Sequence, residues 1–204
     1  MGNLVSPSPS GGPAPARNEP ERSGRVIVNP ISGERIVVRQ SGAETGGELF
    51  SFDLYLPPGG HVPAGHVHPI QEERFTVIEG VMRFRLGRRT ILARPGATVI
   101  VPPGKAHWFG AEDGQAAHAY VEARPALRME EFFAENETLS LAGRLGGTRL
   151  PRLPDLARIL LEFRREVAVP YAPAFLVRAT LTPLTWLGRL HARVRKAASE
   201  HVSS

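Results

Sequence analysis

Between Gly60 and Gly80 the chain reads GHVPAGHVHPIQEERFTVIEG. Two imidazoles, His66 and His68, stand one residue apart, and a carboxylate, Glu73, follows five residues after the second. In an extended chain residues i and i+2 point to one face, so both rings can aim at one point. Pro69 starts a turn, and the run Phe75 to Ile78, β-branched or aromatic, brings Glu73 back on the next strand. A second stretch, GATVIVPPGKAHWF from Gly96 to Phe109, supplies His107. Three imidazoles and one carboxylate make a mixed nitrogen and oxygen donor set that suits one first-row divalent ion. The candidate metal ligands are therefore His66, His68, Glu73 and His107, with Glu73 also the candidate catalytic proton acceptor. Strand alternation turns Glu72 to the opposite face, where it reads as a solvated or interface carboxylate. A lone histidine is usually a core or surface residue, and His61, His118, His191 and His201 take that reading.

The elements that position these donors are strands. From Arg25 to about Arg124, short apolar runs alternate with turn residues. In FSFDLYL, Phe50, Phe52, Leu54 and Leu56 share one face, with Ser51, Asp53 and Tyr55 on the other. In VMRFRLG, Met82, Phe84 and Leu86 alternate with Arg83 and Arg85, and Gly87-Arg88 turns the chain into RTILARPG. Short strands at regular spacing imply an all-β sandwich or barrel. If Glu73 points inward, so do Phe75 and Val77. From Leu127 the period changes. RMEEFFAENETLSLAG has helical spacing, and PDLARILLEFRREVA places Leu156, Leu160, Phe163 and Val167 on one stripe. Pro154 and Asp155 suit the first turn of that helix.

The spacing around the donors resembles the two motifs of the cupin family. The first is Gly60, His66, His68, Glu73 and Gly80, and the second is Gly96, Pro102, Gly104 and His107. Ala111 stands where the family often has Asn, a position that is not a ligand. The resemblance selects a small jelly-roll barrel and implies the same four metal ligands. It implies one divalent ion (iron, nickel, manganese or zinc) with open coordination positions for water, dioxygen or a small-molecule substrate. The family's chemistries include dioxygenation, isomerisation, cyclisation and decarboxylation. The expected function is a metal-dependent, dioxygenase-like enzyme acting on a small organic molecule. The alternative is a non-catalytic small-molecule-binding or regulatory cupin whose basic helical tail docks on a partner or membrane surface. A cupin core with such a tail is similar to many bacterial proteins, and a cytoplasmic homodimer is expected.

Three regions follow: residues 1–24 as a disordered Pro-, Ser- and Gly-rich segment, 25–126 as the barrel, and 127–204 as a helical extension. The first lacks the large apolar side chains that would order it and has no apolar core of a signal peptide. With no cysteine among 204 residues, disulfides and thiolate chemistry are excluded. Net charge is +5, yet residues 149–204 hold ten basic and four acidic side chains, so the preceding part is close to neutral. The basic excess thus belongs to the tail and gives no ground for nucleic-acid binding by the barrel. No apolar run reaches the length of a transmembrane span. Packing of the tail on the barrel or a second subunit, burying Leu156, Leu160, Phe163 and Trp186, is favoured over a membrane surface.

Overall fold

A computed structural model describes residues 5–7, 24–29, 33–112, 114–145, 150–172, 175–177, 179–183 and 185. The strands are β1 (Val5–Pro7), β2 (Val26–Asn29), β3 (Glu34–Gln40), β4 (Phe50–Leu56), β5 (Glu72–Glu79), β6 (Met82–Leu86), β7 (Arg89–Ala93), β8 (Ala97–Val101), β9 (His107–Ala111) and β10 (Ala117–Arg124). The helices α1 (Met129–Leu141) and α2 (Leu153–Glu162) follow, and residues 175–177 and 179–183 are also helical. The strands form a seven-stranded antiparallel sheet, ordered β1-β8-β5-β10-β4-β3-β2, and a three-stranded one, β7-β6-β9. This is the expected all-β jelly-roll core with a helical extension. Within the N-terminal segment expected to be disordered, only residues 5–7 and 24 belong to the described part, and residues 5–7 are extended. Residues 5–7 pair with Ala97–Val99 of β8, because β8 is hydrogen-bonded to β5 on one side only and can accept an edge strand on the other.

The core is what the alternation demands. Phe50, Phe52, Leu54 and Leu56 are all buried, as are Phe75 and Val77, which share the parity of Glu73. Phe75 of the large sheet packs against Phe84 and Phe109 of the small one, with ring centroids 5.2 and 4.9 Å apart. The two inner faces thus close on one aromatic layer. The opposite face of β4 is not simply solvated. Asp53 is buried beneath Arg39 and His118, and His118 stacks on Tyr55 at 4.3 Å. Two basic groups keep its carboxyl below the ordinary 3.8, overruling burial, which pushes it up. His118 thus serves as the partner of a buried carboxylate. Gly80, where the chain leaves β5 for the other sheet, has φ of +73°. A Cβ there would sit 2.1 Å from the Ala116 carbonyl oxygen, so glycine is required on two counts.

The extension packs on the barrel. Helix α1 lies along β2, where the Val28 N–H donates to Glu137 and Ser140 donates to the Asn29 side chain. Phe133 reaches Phe52 at 5.4 Å. Helix α2 begins with Pro154 and Asp155 in its first turn, as expected, and Asp155 is buried in an ion pair with Arg144 at 2.5 Å. The single apolar stripe expected on α2 is divided. Phe163 joins Leu139 and Ile159 in a small core, while Leu156, Leu160 and Val167 line a cavity that Ile159 also touches. The helix ends at Glu162, so Phe163 and Val167 lie in the turn beyond it. Trp186 lies outside the described residues. Among the described residues, no helix is long and apolar enough to cross a membrane.

Candidate metal centre

The stretch carrying His66 and His68 is extended but belongs to no full strand. Pro63 and Pro69 interrupt the ladder, since proline offers no N–H, and leave isolated bridges. One of these sets His66 opposite His107 through two main-chain hydrogen bonds of 2.9 Å. A second ties Val67 to Ala168 in the extension. Glu73 projects inward from β5, and His107 opens β9 after the Pro102–Gly104 turn, whose Gly104 N–H donates to the His68 carbonyl at 2.8 Å. The four side chains expected as ligands are thereby brought together, with one ligand atom from each lying within 4.8 Å of the others. His68, Glu73 and His107 are buried, and His66 is half-buried at the edge. Glu72, on the other parity, pairs with Arg74 at the surface.

The imidazoles face inward through one nitrogen each. Nδ1 of His66, His68 and His107 contacts the carbonyl oxygens of Ala64 (3.2 Å), Glu166 (2.5 Å) and Lys105 (3.2 Å). A carbonyl can only accept, so each Nδ1 carries the proton and each neutral ring keeps its lone pair on Nε2. Glu73 Oε2 lies 3.1 Å from His68 Nε2 and 3.0 Å from His107 Nε2. All three atoms are buried, and none has a further hydrogen-bond partner. Buried lone-pair atoms facing one another are costly unless a cation or proton stands between them. The set fits a divalent ion, and its donors suit iron, nickel, manganese or zinc.

Charge states follow from the same crowding. Burial opposes the carboxylate of Glu73, but the adjacent His68 and His107 overrule it and hold its carboxyl well below 4.5. Burial lowers the pKa of His68, yet the charge of Glu73 beside it prevails and raises it above 6.5. His66 is pushed down to about 3, first by burial and then by His107 and His68. In the metal-free chain His68 therefore keeps an extra proton below pH 6.5, where proton and metal compete for one lone pair.

The cluster opens into a cavity of about 300 Å³. Its walls are Phe52, Leu54, Phe75 and Phe109 from the barrel, and Phe132, Phe133, Leu156 and Leu160 from the helices. Of the two aromatics that follow His107, Phe109 lines this space, whereas the Trp108 Nε1–H donates to the Val62 carbonyl at 3.0 Å. Four contributors were not evident from the sequence. The Glu166 carbonyl carries no side-chain signature. Phe132 and Phe133 stand out in the sequence only as part of a run with helical spacing. Glu34 also lines the cavity, and its signal was present: in ERIVVRQ it shares the parity of Ile36 and Val38, a carboxylate on the core side of a strand. Burial pushes the Glu34 carboxyl up from 4.5 to about 7.

Residues 52–121 match the family model described as a cupin domain. Among solved structures, the chain is similar to a protein with a double-stranded β-helix domain from Klebsiella pneumoniae, at 20% identity and a TM-score of 0.40, covering 45% of this chain and 72% of that one. It is similar to a sugar phosphate isomerase of the cupin superfamily from Silicibacter pomeroyi, at 19% identity and a TM-score of 0.44, over 50% and 71% of the two chains. A predicted oxalate decarboxylase from Thermotoga maritima gives 16% identity and a TM-score of 0.44, over 50% and 91%. No curated protein matches the chain.

Proposed function

Because the chain carries a cupin domain, we propose that it is a metal-dependent enzyme of dioxygenase type, acting on a small organic molecule held beside His66, His68, Glu73 and His107. The observation that carries this reading is the junction of the two halves of the site. Four convergent donors, three of them with buried and otherwise unpartnered ligand atoms, meet at one end of a largely apolar cavity that His66, His68 and Glu73 line. A purely structural ion site is usually closed by its protein ligands, whereas this one has a side facing open space. The bound ion would supply Lewis acidity and, for iron or manganese, electron transfer with dioxygen. The chain's own part is to orient and to exclude water. Phe52, Phe75, Phe109, Phe132 and Phe133 surround a ligand with apolar surface and strengthen electrostatic contacts at the donors. Glu73 is both ligand and neighbour of the reacting atoms. The adjacent imidazoles overrule burial and favour its ionised form, the form that binds an ion.

A homodimer belongs to the same proposal, since the edge strands β2 and β7 expose Val26, Val28 and Leu92. The test of function is dioxygen uptake by protein loaded in turn with iron, nickel, manganese and zinc, against small aromatic and enolic compounds. Uptake that depends on both metal and compound, and that disappears in His107→Ala, supports an oxygenase. Compounds that bind and are recovered unchanged under every metal leave a binding protein in place of an enzyme.

A further inference from the structure

We propose that Glu166, in the turn after α2, is a positioning residue for the metal centre: it fixes the tautomer and ring plane of His68, so ion affinity depends on the helical extension. The inference rests on the four-donor cluster being a metal site. Its basis is a contrast among the three imidazoles. His66 and His107 are braced by carbonyls two residues away in their own loops, at 3.2 Å. His68 is braced by a carbonyl 98 residues away in sequence, at 2.5 Å, the shortest of the three. The histidine with the most distant brace is thus the one held most closely, and its brace comes from outside the strands that carry the ligands.

Glu166 is itself held. Its side chain is buried at 4% exposure, and its carboxylate accepts the Arg128 main-chain N–H at 3.2 Å, just before α1. Its own N–H donates to the Phe163 carbonyl at 3.0 Å, closing the turn. Two residues on, Ala168 and Val67 exchange main-chain hydrogen bonds of 3.0 and 2.8 Å. The side chain therefore ties the turn to α1, while the main chain ties it to both His68 and the preceding residue. A fixed carbonyl at Nδ1 commits the ring proton there and leaves Nε2 for the ion. Partners of this kind typically change metal affinity by about 10–100-fold. Nothing in the residue type of Glu166 marks it for this task, because the group that touches His68 is its backbone.

The test uses the full chain and zinc, with affinity read by chelator competition and ligand geometry by the visible spectrum of the cobalt form. Glu166→Ala keeps the carbonyl but releases the turn, and should weaken zinc binding roughly tenfold, at the lower end of outer-partner effects. Its cobalt spectrum should change. Glu166→Gln keeps an oxygen acceptor for Arg128 and should restore both towards wild type. A measurement on unaltered protein serves if the alanine variant fails to fold. Nitrogen-15 NMR of the zinc form should show His68 protonated at Nδ1 and bound through Nε2. A Glu166→Ala protein that melts earlier yet keeps its zinc affinity and cobalt spectrum overturns the proposal, as does His68 bound through Nδ1. If wild type takes up no zinc or cobalt, the metal reading fails first and the inference with it.

Discussion

Glu34 offers a pH test whose sign and size come directly from its place in the fold. Its carboxyl has an ordinary pKa of 4.5 and is lifted to about 7 by burial. Below 4.5 it is protonated in folded and unfolded chains alike and contributes nothing to pH dependence. Between 4.5 and about 7 the unfolded chain ionises first and binds fewer protons, so stability falls as pH rises. Above about 7 the full cost is present. At 1.36 kcal/mol per pH unit that interval corresponds to about 3 kcal/mol, and screening at a partly exposed side chain reduces it to about 2 kcal/mol. Glu34→Gln has the same shape and no titration. Urea unfolding of both proteins across the interval, in chelator, isolates this group, since the other titrations are common to the two. The variant's stability relative to wild type should rise with pH by about 2 kcal/mol and level off above neutrality. A difference that stays flat, or that falls with pH, would refute the placement of Glu34 on the inner face of β3.

Three further outcomes follow from the geometry. Gly80→Ala should destabilise by more than about 2 kcal/mol in chemical denaturation, since the new Cβ meets a main-chain oxygen at a positive φ, and near-neutral stability would contradict the turn. Removing the chain beyond Arg149 deletes Ile159, Phe163 and Val167, buried side chains worth about 1.5–3 kcal/mol each, together with the Glu166 carbonyl. Melting temperature and zinc affinity should both drop, whereas a truncated protein with unchanged melting and affinity would make the extension dispensable. Zinc binding should release the proton held at His68. That proton stabilises the metal-free fold below the unfolded value of 6.5, and the benefit is lost as pH rises through the raised folded value, so zinc affinity should weaken towards acid. Calorimetry in buffers of different ionisation enthalpy reads the proton directly, and binding with no proton exchange at pH 6 would contradict it.

Much of this was legible in the residues because two periodicities carry it. Alternation in FSFDLYL, EERFTVIE and MRFRL places the core, and the same parity carries Glu73 inward with Phe75 and Val77. The donors were legible because imidazole and carboxylate have few reasons to converge in an apolar interior. What stayed hidden was long-range or carried by the backbone. The pairing of residues 5–7 with β8 depends on an open sheet edge and not on local composition. Which residues of the α2 stripe meet the small core and which the cavity depends on the tertiary packing around the helix. The hydrogen bond between His68 and Glu166 joins residues that no short motif connects.

The central claim is that His66, His68, Glu73 and His107 hold one divalent ion, and elemental analysis with chelator-competition affinity measures it most directly. Wild-type protein, stripped and then reloaded with zinc, cobalt, iron or manganese, should retain one ion per chain after gel filtration. His68→Ala and His107→Ala should each retain far less, with fold intact by circular dichroism. A His66→Ala/His68→Ala double variant that holds as much metal as wild type would contradict the account, because the ion would then lie elsewhere.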